Sequence, residues 1–463
     1  MFNKSIKSEL SKTAKIIIPL SATNLLQVIS GFAGSVMVTR LGTDAVAAAG
    51  IVSSTWTLII LVFSIGFLQS IGVLVSQQRG ARNHEAIRCL FRQGIYLAGI
   101  SSVLVTGICL LMPSILDHAH LLTPSVTHFT DRYFYALCWC LPGLIITIAL
   151  EQFMVSLEQT RVILVINLLQ IPFEILLNYG LVFGKLGLPK CGIAGLGYGY
   201  AIVFYTADIL ILLYILYSKR IGQAYQLAGH SWRVHWPYLK EMIKVGWPIA
   251  AMFGVEAGLF TFTMYVMAHI STNDLAANQM TLQFLSLTIT FAFAIGQAST
   301  IRVGHQAGRL SLSGVKRAAF VSLGVSFIAM FVLSFLFWFF PHALLSINVN
   351  KNLSWHSPVI KHVILYLAIC GIFQLFDSQR IVLVSILRGV KDTRVPMIIS
   401  FISFWVVGLS IGLTLAFGFN LGGEGLWIGI SAGIAAGTIM LYQRFFKLMK
   451  NLDLKAITAL NKD

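Results

Sequence analysis

Long apolar runs separated by short charged breaks dominate this sequence and limit what the chain can fold into. Each run is long enough for a helix that crosses a bilayer, which needs about 20 apolar residues. Only 11% of the residues are charged, against about a quarter in soluble domains. We therefore predict an all-α polytopic membrane protein with almost no soluble mass. The twelve predicted transmembrane helices are 14–39, 45–77, 90–116, 130–156, 162–183, 193–217, 242–269, 275–301, 318–346, 359–387, 395–417 and 421–446.

Lysines and arginines are concentrated in alternate breaks between the runs. With a cytoplasmic N-terminus, the cytoplasmic segments carry 26 of the 33 Lys and Arg residues and the opposite side carries six. Because cytoplasmic loops are enriched in positive charge, this asymmetry predicts that both termini are cytoplasmic and that the chain lies in the cell (inner) membrane. The net charge of +16 therefore indicates the lipid bilayer as a partner and not nucleic acid. No obligate protein partner is indicated.

The second half of the sequence repeats features of the first half about 229 residues later. Pro19 matches Pro248, and Ala47-Ala48 matches Ala276-Ala277. Because six is an even number of crossings, both copies cross the membrane in the same sense. This pattern predicts two six-helix lobes related by pseudo-two-fold symmetry about an axis along the membrane normal, an arrangement typical of secondary transporters with a central site.

The longest break between runs divides the two copies. We predict an N-terminal lobe at 1–217 with helices one to six and a basic cytoplasmic linker at 218–241. A C-terminal lobe at 242–463 then carries helices seven to twelve and a cytoplasmic tail.

The motifs of motors and enzymes are missing or out of context. No G-x(4)-G-K-[ST] motif occurs, so ATP is not expected to be the direct energy source. The six cysteines form no paired framework, and we predict no disulfide, metal or other cofactor. The G-x-S-x-G spelling at 408–412 lies in an apolar run, where small residues usually allow close helix packing. We predict no catalytic residue; a membrane enzyme with Ser410 as nucleophile is a less favoured alternative.

Ionisable residues inside the apolar runs are the strongest functional candidates, because each costs ~2.5–3.5 kcal/mol at the bilayer centre and should face a partner or a wet cavity. Glu256 lies near the middle of the seventh run with no basic residue within a helical turn. Such a carboxylate can take a proton, bind Na⁺ or pair with a cationic substrate. Asp377 precedes Arg380 by three residues, so it is either a second cation-coupling residue or half of a self-neutralised pair.

Two further groups of residues are weaker candidates. Glu174, Asn178 and Asp208 lie in the first half and could form a second cation site or a polar cluster. Aromatic residues make up 12% of the chain, and most must face lipid or pack helices. A minority could line a substrate cavity, because flat cations stack on aromatic faces. Our candidates for that cavity are Phe260, Phe284, Phe291, Phe293 and Phe373.

Several segments resemble the multidrug and toxic compound extrusion (MATE) family, in particular its NorM-like branch. They are 246–260 around Glu256, 300–304, Asp377-Ser378, 386–394 with the pattern Leu-Arg-Gly-x-Lys-Asp-Thr, and 425–429. The resemblance covers essentially the whole chain. It implies a two-lobed antiporter that exports bulky, often cationic organic compounds in exchange for Na⁺ or H⁺ by alternating access. It also implies that Glu256 and Asp377 take part in cation coupling.

Three positions depart from the pattern of the family. Gly34 stands where many members have an aspartate in the first helix. Glu174 occupies a position that is often Asn, and Arg380 stands where a neutral residue is common. The alternative function is that of a related lipid-linked oligosaccharide flippase. Its anionic substrate calls for a basic cavity, whereas the intramembrane groups here are five acids and one base.

Overall fold

The computed structural model describes residues 2–118, 123–227, 232–348 and 357–459, and every regular element within these ranges is helical. Helices suit a chain in lipid because they satisfy all their backbone hydrogen bonds internally. Three short helical segments, Lys219–Gln223, Pro341–Asn348 and Leu454–Thr458, accompany twelve long helices. The long helices are α1 Phe2–Thr39, α2 Thr43–Gly80, α3 His84–His118, α4 Pro124–Ser156, α5 Thr160–Phe183, α6 Ala194–Tyr217, α7 Trp236–Ile270, α8 Thr272–Gly308, α9 Leu312–Phe339, α10 Pro358–Gly389, α11 Arg394–Gly418 and α12 Gly422–Lys450.

The predicted all-α, twelve-helix fold class is confirmed, because all twelve long helices are long and apolar enough to cross a membrane. Several predicted boundaries are wrong, because helices extend beyond the apolar runs: α1 begins at Phe2 and not at 14, and α7 begins at Trp236 and not at 242. The ninth predicted helix runs to 346, but α9 ends at Phe339 and a separate helix begins at Pro341. Pro341 lacks the backbone N–H that would extend the hydrogen bonding of α9, and proline suits the first position of a new helix.

The helix boundaries repeat along the chain at the offset that the sequence predicts. α2 begins at Thr43 and α8 at Thr272, and α6 begins at Ala194 and α12 at Gly422. The internal repeat is therefore a repeat of helices as well as of residues. Two of the long helices are irregular: π-helical turns interrupt α2 at Leu61–Ile65 and α11 at Ile402–Gly408 and Thr414–Gly418.

The chain divides into two compact units. One contains Ile18–Ala250 together with the C-terminal end from Thr458, and the other contains the first helix up to Ile17 together with Ala251–Ile457. α1 therefore begins in one unit and ends in the other. The predicted lobes, 1–217 and 242–463, are the parts of the chain that we expect to move during transport, and they stay a prediction.

The predicted linker is attached to α3 within the unit that contains Ile18–Ala250. Arg88 Nε donates a hydrogen bond to the carbonyl of Tyr225 at 3.1 Å. Gln93 Nε2 and the hydroxyl of Tyr96 donate to the carbonyls of Arg233 and Trp232, both at 3.1 Å. Residues 228–231 of the linker, like 460–463 of the tail, lie outside the described residues. On both sides of that gap the linker is thus fastened to one helix.

A buried ion pair fixes the start of α1 in the other unit. Arg302 of α8 donates from Nε and Nη2 to the two carboxylate oxygens of Glu9, at 2.8 and 2.9 Å. Both side chains are almost fully buried. Two parallel, charge-assisted hydrogen bonds hold a guanidinium and a carboxylate in one relative orientation, so this pair joins α1 firmly to α8.

Small residues bring α11 and α12 into close contact in the same unit. A methyl group added to Gly429 of α12 would overlap the Cα of Gly412 of α11. Gly412 belongs to the G-x-S-x-G segment, which is helical and not a strand–turn–helix. This segment therefore serves helix packing, as its apolar surroundings predict.

We expect Gly429→Ala to destabilise the protein by about 1–3 kcal/mol, because the added methyl group forces the two backbones apart. Gly324→Ala on α9 is the matched control, since a methyl group there meets no atom within 4 Å. Thermal unfolding of the purified variants in detergent measures both effects. Equal midpoints for the two variants would contradict the close packing of α11 on α12.

Candidate functional site

Three charged side chains meet between α7 and α10. Glu256 lies on α7, and Asp377 and Arg380 lie one helical turn apart on α10. Arg380 Nε donates to Asp377 Oδ1 at 2.8 Å, and Arg380 Nη2 lies 2.8 Å from the same oxygen. Arg380 Nη2 also donates to Glu256 Oε1 at 3.0 Å. Arg380 therefore bridges both acids, and we call Glu256, Asp377 and Arg380 the charge triad.

Protein encloses two members of the charge triad, whereas Glu256 is partly exposed. Asp377 and Arg380 expose only 3% and 2% of their surface. The Cζ atom of Arg380 lies 4.8 Å from the centre of the Phe404 ring of α11, which adds a cation–π contact. Trp405 Nε1 donates to the carbonyl of Val255 at 3.0 Å and so joins α11 to α7 beside Glu256. With two carboxylates and one guanidinium ionised, the triad carries a net charge of −1.

Sequence reasoning found part of this arrangement. It anticipated the contact between Asp377 and Arg380, because residues three apart share a face of a helix. It missed the contact between Arg380 and Glu256, which are 124 residues apart. The available signal was indirect. Glu256 has no base within a turn of its own helix, and Arg380 is the one lysine or arginine that lies more than a few residues from an end of its predicted helix.

Glu174 and Asn178 lie together on α5 in the other unit. The hydroxyl of Ser30 on α1 donates to the Glu174 carboxylate. One turn further, Asn178 Oδ1 is buried without a hydrogen-bond partner among the described residues. It faces the backbone of Gly199 on α6, where a Cβ atom would overlap it. These residues form a polar region that contains one acid and no described base.

Asp208 occupies a separate place on α6. The hydroxyl of Thr147 on α4 donates to Asp208 Oδ1 at 2.6 Å, and no hydrogen bond in the described residues joins Asp208 to Glu174 or Asn178. Asp208 is 8% exposed, and its Oδ2 has no described hydrogen-bond partner. Its charged neighbour is Glu151 on α4, which accepts a hydrogen bond from Asn167 at 3.2 Å. The three residues predicted for a second site therefore lie in two separate acidic regions, one with Glu174 and Asn178 and the other with Asp208.

The five candidate phenylalanines differ in exposure. Phe373 has no exposed surface, and its ring packs at 5.7 Å against that of Trp427. Phe284 is also buried in the same core. These two rings stabilise the helix packing, so they offer no free aromatic face. The partly exposed candidates are Phe260, Phe291 and Phe293.

We expect Thr147→Val to lower the stability of the protein by about 1–3 kcal/mol, because it removes the described donor to a buried carboxylate. Thr206→Val on α6 is the control, since the Thr206 hydroxyl donates to the carbonyl of Val203 on its own helix and is exposed. The midpoint of thermal unfolding should fall in the first variant and not in the second. A loss of similar size in both would contradict a stabilising role for the contact between Thr147 and Asp208.

Comparisons with known proteins identify the family of this chain. The MatE family model matches residues 19–180 and 248–414, one segment in each half. The probable multidrug resistance protein NorM of Synechococcus sp. is 30% identical over 98% of this chain and 97% of its own. The corresponding protein of Rhizobium meliloti is 30% identical over 94% and 93%. The crystal structure of the eukaryotic MATE transporter AtDTX14 shares the fold, with a TM-score of 0.84, 18% identity and 98% coverage of both chains. The chain therefore belongs to the MatE family.

Proposed function

We propose that this chain is a secondary antiporter that exports bulky, often cationic organic compounds from the cell in exchange for H⁺ or Na⁺. The buried charge triad on α7 and α10 carries the proposal, because it places one uncompensated negative charge within membrane-spanning helices. The names of the NorM relatives, multidrug resistance proteins, support the substrate class.

A triad with a net charge of −1 suits the exchange of one cation for another. Arg380 offsets the charge of one acid, and the charge of the other acid remains in a poorly solvated place. A proton, a metal cation or an organic cation can each relieve that charge, but binding of one lowers the attraction for the next. Only net charge that moves inward gains about 2.3 kcal/mol per 100 mV, so a one-for-one exchange of monovalent cations is driven by the concentration gradient of the coupling ion. An inward ion gradient can therefore drive a modest uphill gradient of the exported compound.

The direction of transport follows from the proposed topology. With 26 of the 33 Lys and Arg residues on one side, both termini lie in the cytoplasm and the chain lies in the cell (inner) membrane. The substrate enters from the cytoplasm and leaves outside, while the coupling ion enters from outside as the two repeated halves alternate in exposure. Glu256 and Asp377 are the proposed cation-coupling residues, and Glu174, Asn178 and Asp208 are candidates for a second polar region.

The alternative functions receive less support. The MatE family consists of transporters and not enzymes, so the reading of Ser410 as a nucleophile is rejected. A flippase for an anionic lipid-linked oligosaccharide calls for an excess of basic groups in the membrane. The intramembrane groups here are mainly acidic: Glu151, Glu174, Asp208, Glu256 and Asp377 are set against Arg380.

We expect Glu256→Gln to abolish export while the protein still inserts, because the amide keeps the shape of the side chain but cannot exchange a cation. The assay is ethidium accumulation in cells that lack their own efflux pumps, at equal membrane expression. Wild-type cells should hold less dye than cells with the variant. Collapse of the driving ion gradient should raise the dye in wild-type cells to the level of the variant.

Asp44→Asn is the matched control, since Asp44 is an exposed acid in the first turn of α2. This variant should export ethidium as the wild type does. Normal export by Glu256→Gln would overturn the assignment of the triad. Equal accumulation in cells with wild-type protein and cells without it would favour the flippase.

A further inference from the structure

We propose that Arg380 determines ion selectivity. Its guanidinium group occupies the position between Glu256 and Asp377 that Na⁺ would need, so that the coupling ion is a proton carried by Glu256. This inference rests on the proposed function and adds the identity of the ion. It depends on which carboxylate oxygens are already in use, on how firmly Arg380 is held, and on which acid is open to exchange.

Arg380 already bonds to one carboxylate oxygen of each acid in the triad. Asp377 Oδ1 lies 2.8 Å from both Nε and Nη2, and Glu256 Oε1 lies 3.0 Å from Nη2. A metal ion that joins the two acids needs these oxygens and would lie in contact with the guanidinium group. Like charges at such a separation repel strongly in a poorly solvated site.

Arg380 also cannot dissociate from the site, whereas a free ion could. Its side chain is tethered to α10 and 97% buried, and its guanidinium group lies against the ring of Phe404 as well as the two acids. An arginine stays protonated in proteins, so it does not vacate the site by losing its charge. Na⁺ would have to bind beside a fixed positive charge, which is the physical basis of its exclusion.

A proton meets neither obstacle. It bonds to one carboxylate oxygen and needs no shell of several ligands, and no described hydrogen bond from Arg380 uses Glu256 Oε2. The Glu256 side chain is 18% exposed, whereas that of Asp377 is 5% exposed, so Glu256 is the acid open to exchange. When Glu256 is neutral, Arg380 keeps its two contacts with Asp377, and the triad becomes a neutral pair beside a neutral acid.

The other charged groups around Glu256 favour the same result. Arg388 interacts electrostatically with Glu256 from the last turn of α10 and adds positive charge. From α11, Phe404 packs against Arg380 and Trp405 bonds to the carbonyl of Val255, and neither side chain ionises near neutral pH. Residues 252–260 of α7 contain no ionisable group other than Glu256. Among these described neighbours, the only negative charge besides Glu256 is Asp377, which Arg380 already pairs.

The test compares Na⁺ binding with ion-driven transport. Binding of radioactive ²²Na⁺ is measured on the purified full chain at constant ionic strength, and ethidium transport is measured in proteoliposomes under either a pH gradient or a Na⁺ gradient. We expect the wild type to transport under a pH gradient and not under a Na⁺ gradient at symmetric pH. We expect Arg380→Gln to bind ²²Na⁺ about tenfold or more tightly than the wild type, because the tethered positive charge is gone.

Two further variants make the result specific. Arg380→Lys keeps the charge and should still exclude ²²Na⁺, and Arg40→Gln removes an exposed arginine at the end of α1 and should bind as the wild type does. If Arg380→Gln fails to fold, the double variant Arg380→Gln/Asp377→Asn keeps the net charge of the triad and should also gain ²²Na⁺ binding.

The proposal is overturned if the wild type transports under a Na⁺ gradient alone, or if neither variant that lacks Arg380 binds ²²Na⁺ more tightly than the wild type. The binding assay needs no transport. Failure of the proposed export function would appear as no ethidium transport under any gradient, whatever the ²²Na⁺ result. The two failures are therefore distinguishable.

Discussion

A chain that lies mostly in hydrocarbon has no water to satisfy its polar groups, and this constraint governs the structure. Backbone groups satisfy it by forming helices, which is why every regular element in the described ranges is helical. Charged side chains satisfy it by finding partners on their own helix or on another one. The charge triad is the clearest case, because Glu256 of α7 meets a base only where α10 packs against it. The positions of the helices and the chemistry of the site are therefore linked.

The two units meet the same constraint in different ways. In the unit with Ala251–Ile457, a guanidinium group pairs two acids and leaves one negative charge. In the unit with Ile18–Ala250, hydroxyl and amide groups partner the acids: Ser30 donates to Glu174, and Thr147 donates to Asp208. Neutral donors stabilise a carboxylate without cancelling its charge. Each unit thus contains acidic groups within its helices, but among the candidate acids Glu174, Asp208, Glu256 and Asp377 only the last two have an arginine as a described partner.

Residues near one another in sequence allowed the reliable predictions. The apolar runs predicted the twelve helices, and the three-residue spacing of Asp377 and Arg380 predicted their contact. The end of α9 was missed because apolar composition continues past Phe339, while the backbone ends the helix before Pro341. The contact between Glu256 and Arg380 depends on how α7 and α10 pack, and a single sequence carries little information about that. The attachment of the linker to α3 was also missed. Its hydrogen bonds go to backbone carbonyls, which every residue has, so the sequence does not mark them.

The central claim is that the Glu256 carboxyl group gives up a proton when an organic cation binds. The most direct measurement is proton release from the purified protein in lightly buffered detergent, followed with a pH-indicator dye as ethidium is added. The account predicts proton release that saturates with ethidium binding in the wild type and is missing in Glu256→Gln. Ethidium binding by the wild type without proton release, or equal release from both proteins, would contradict it.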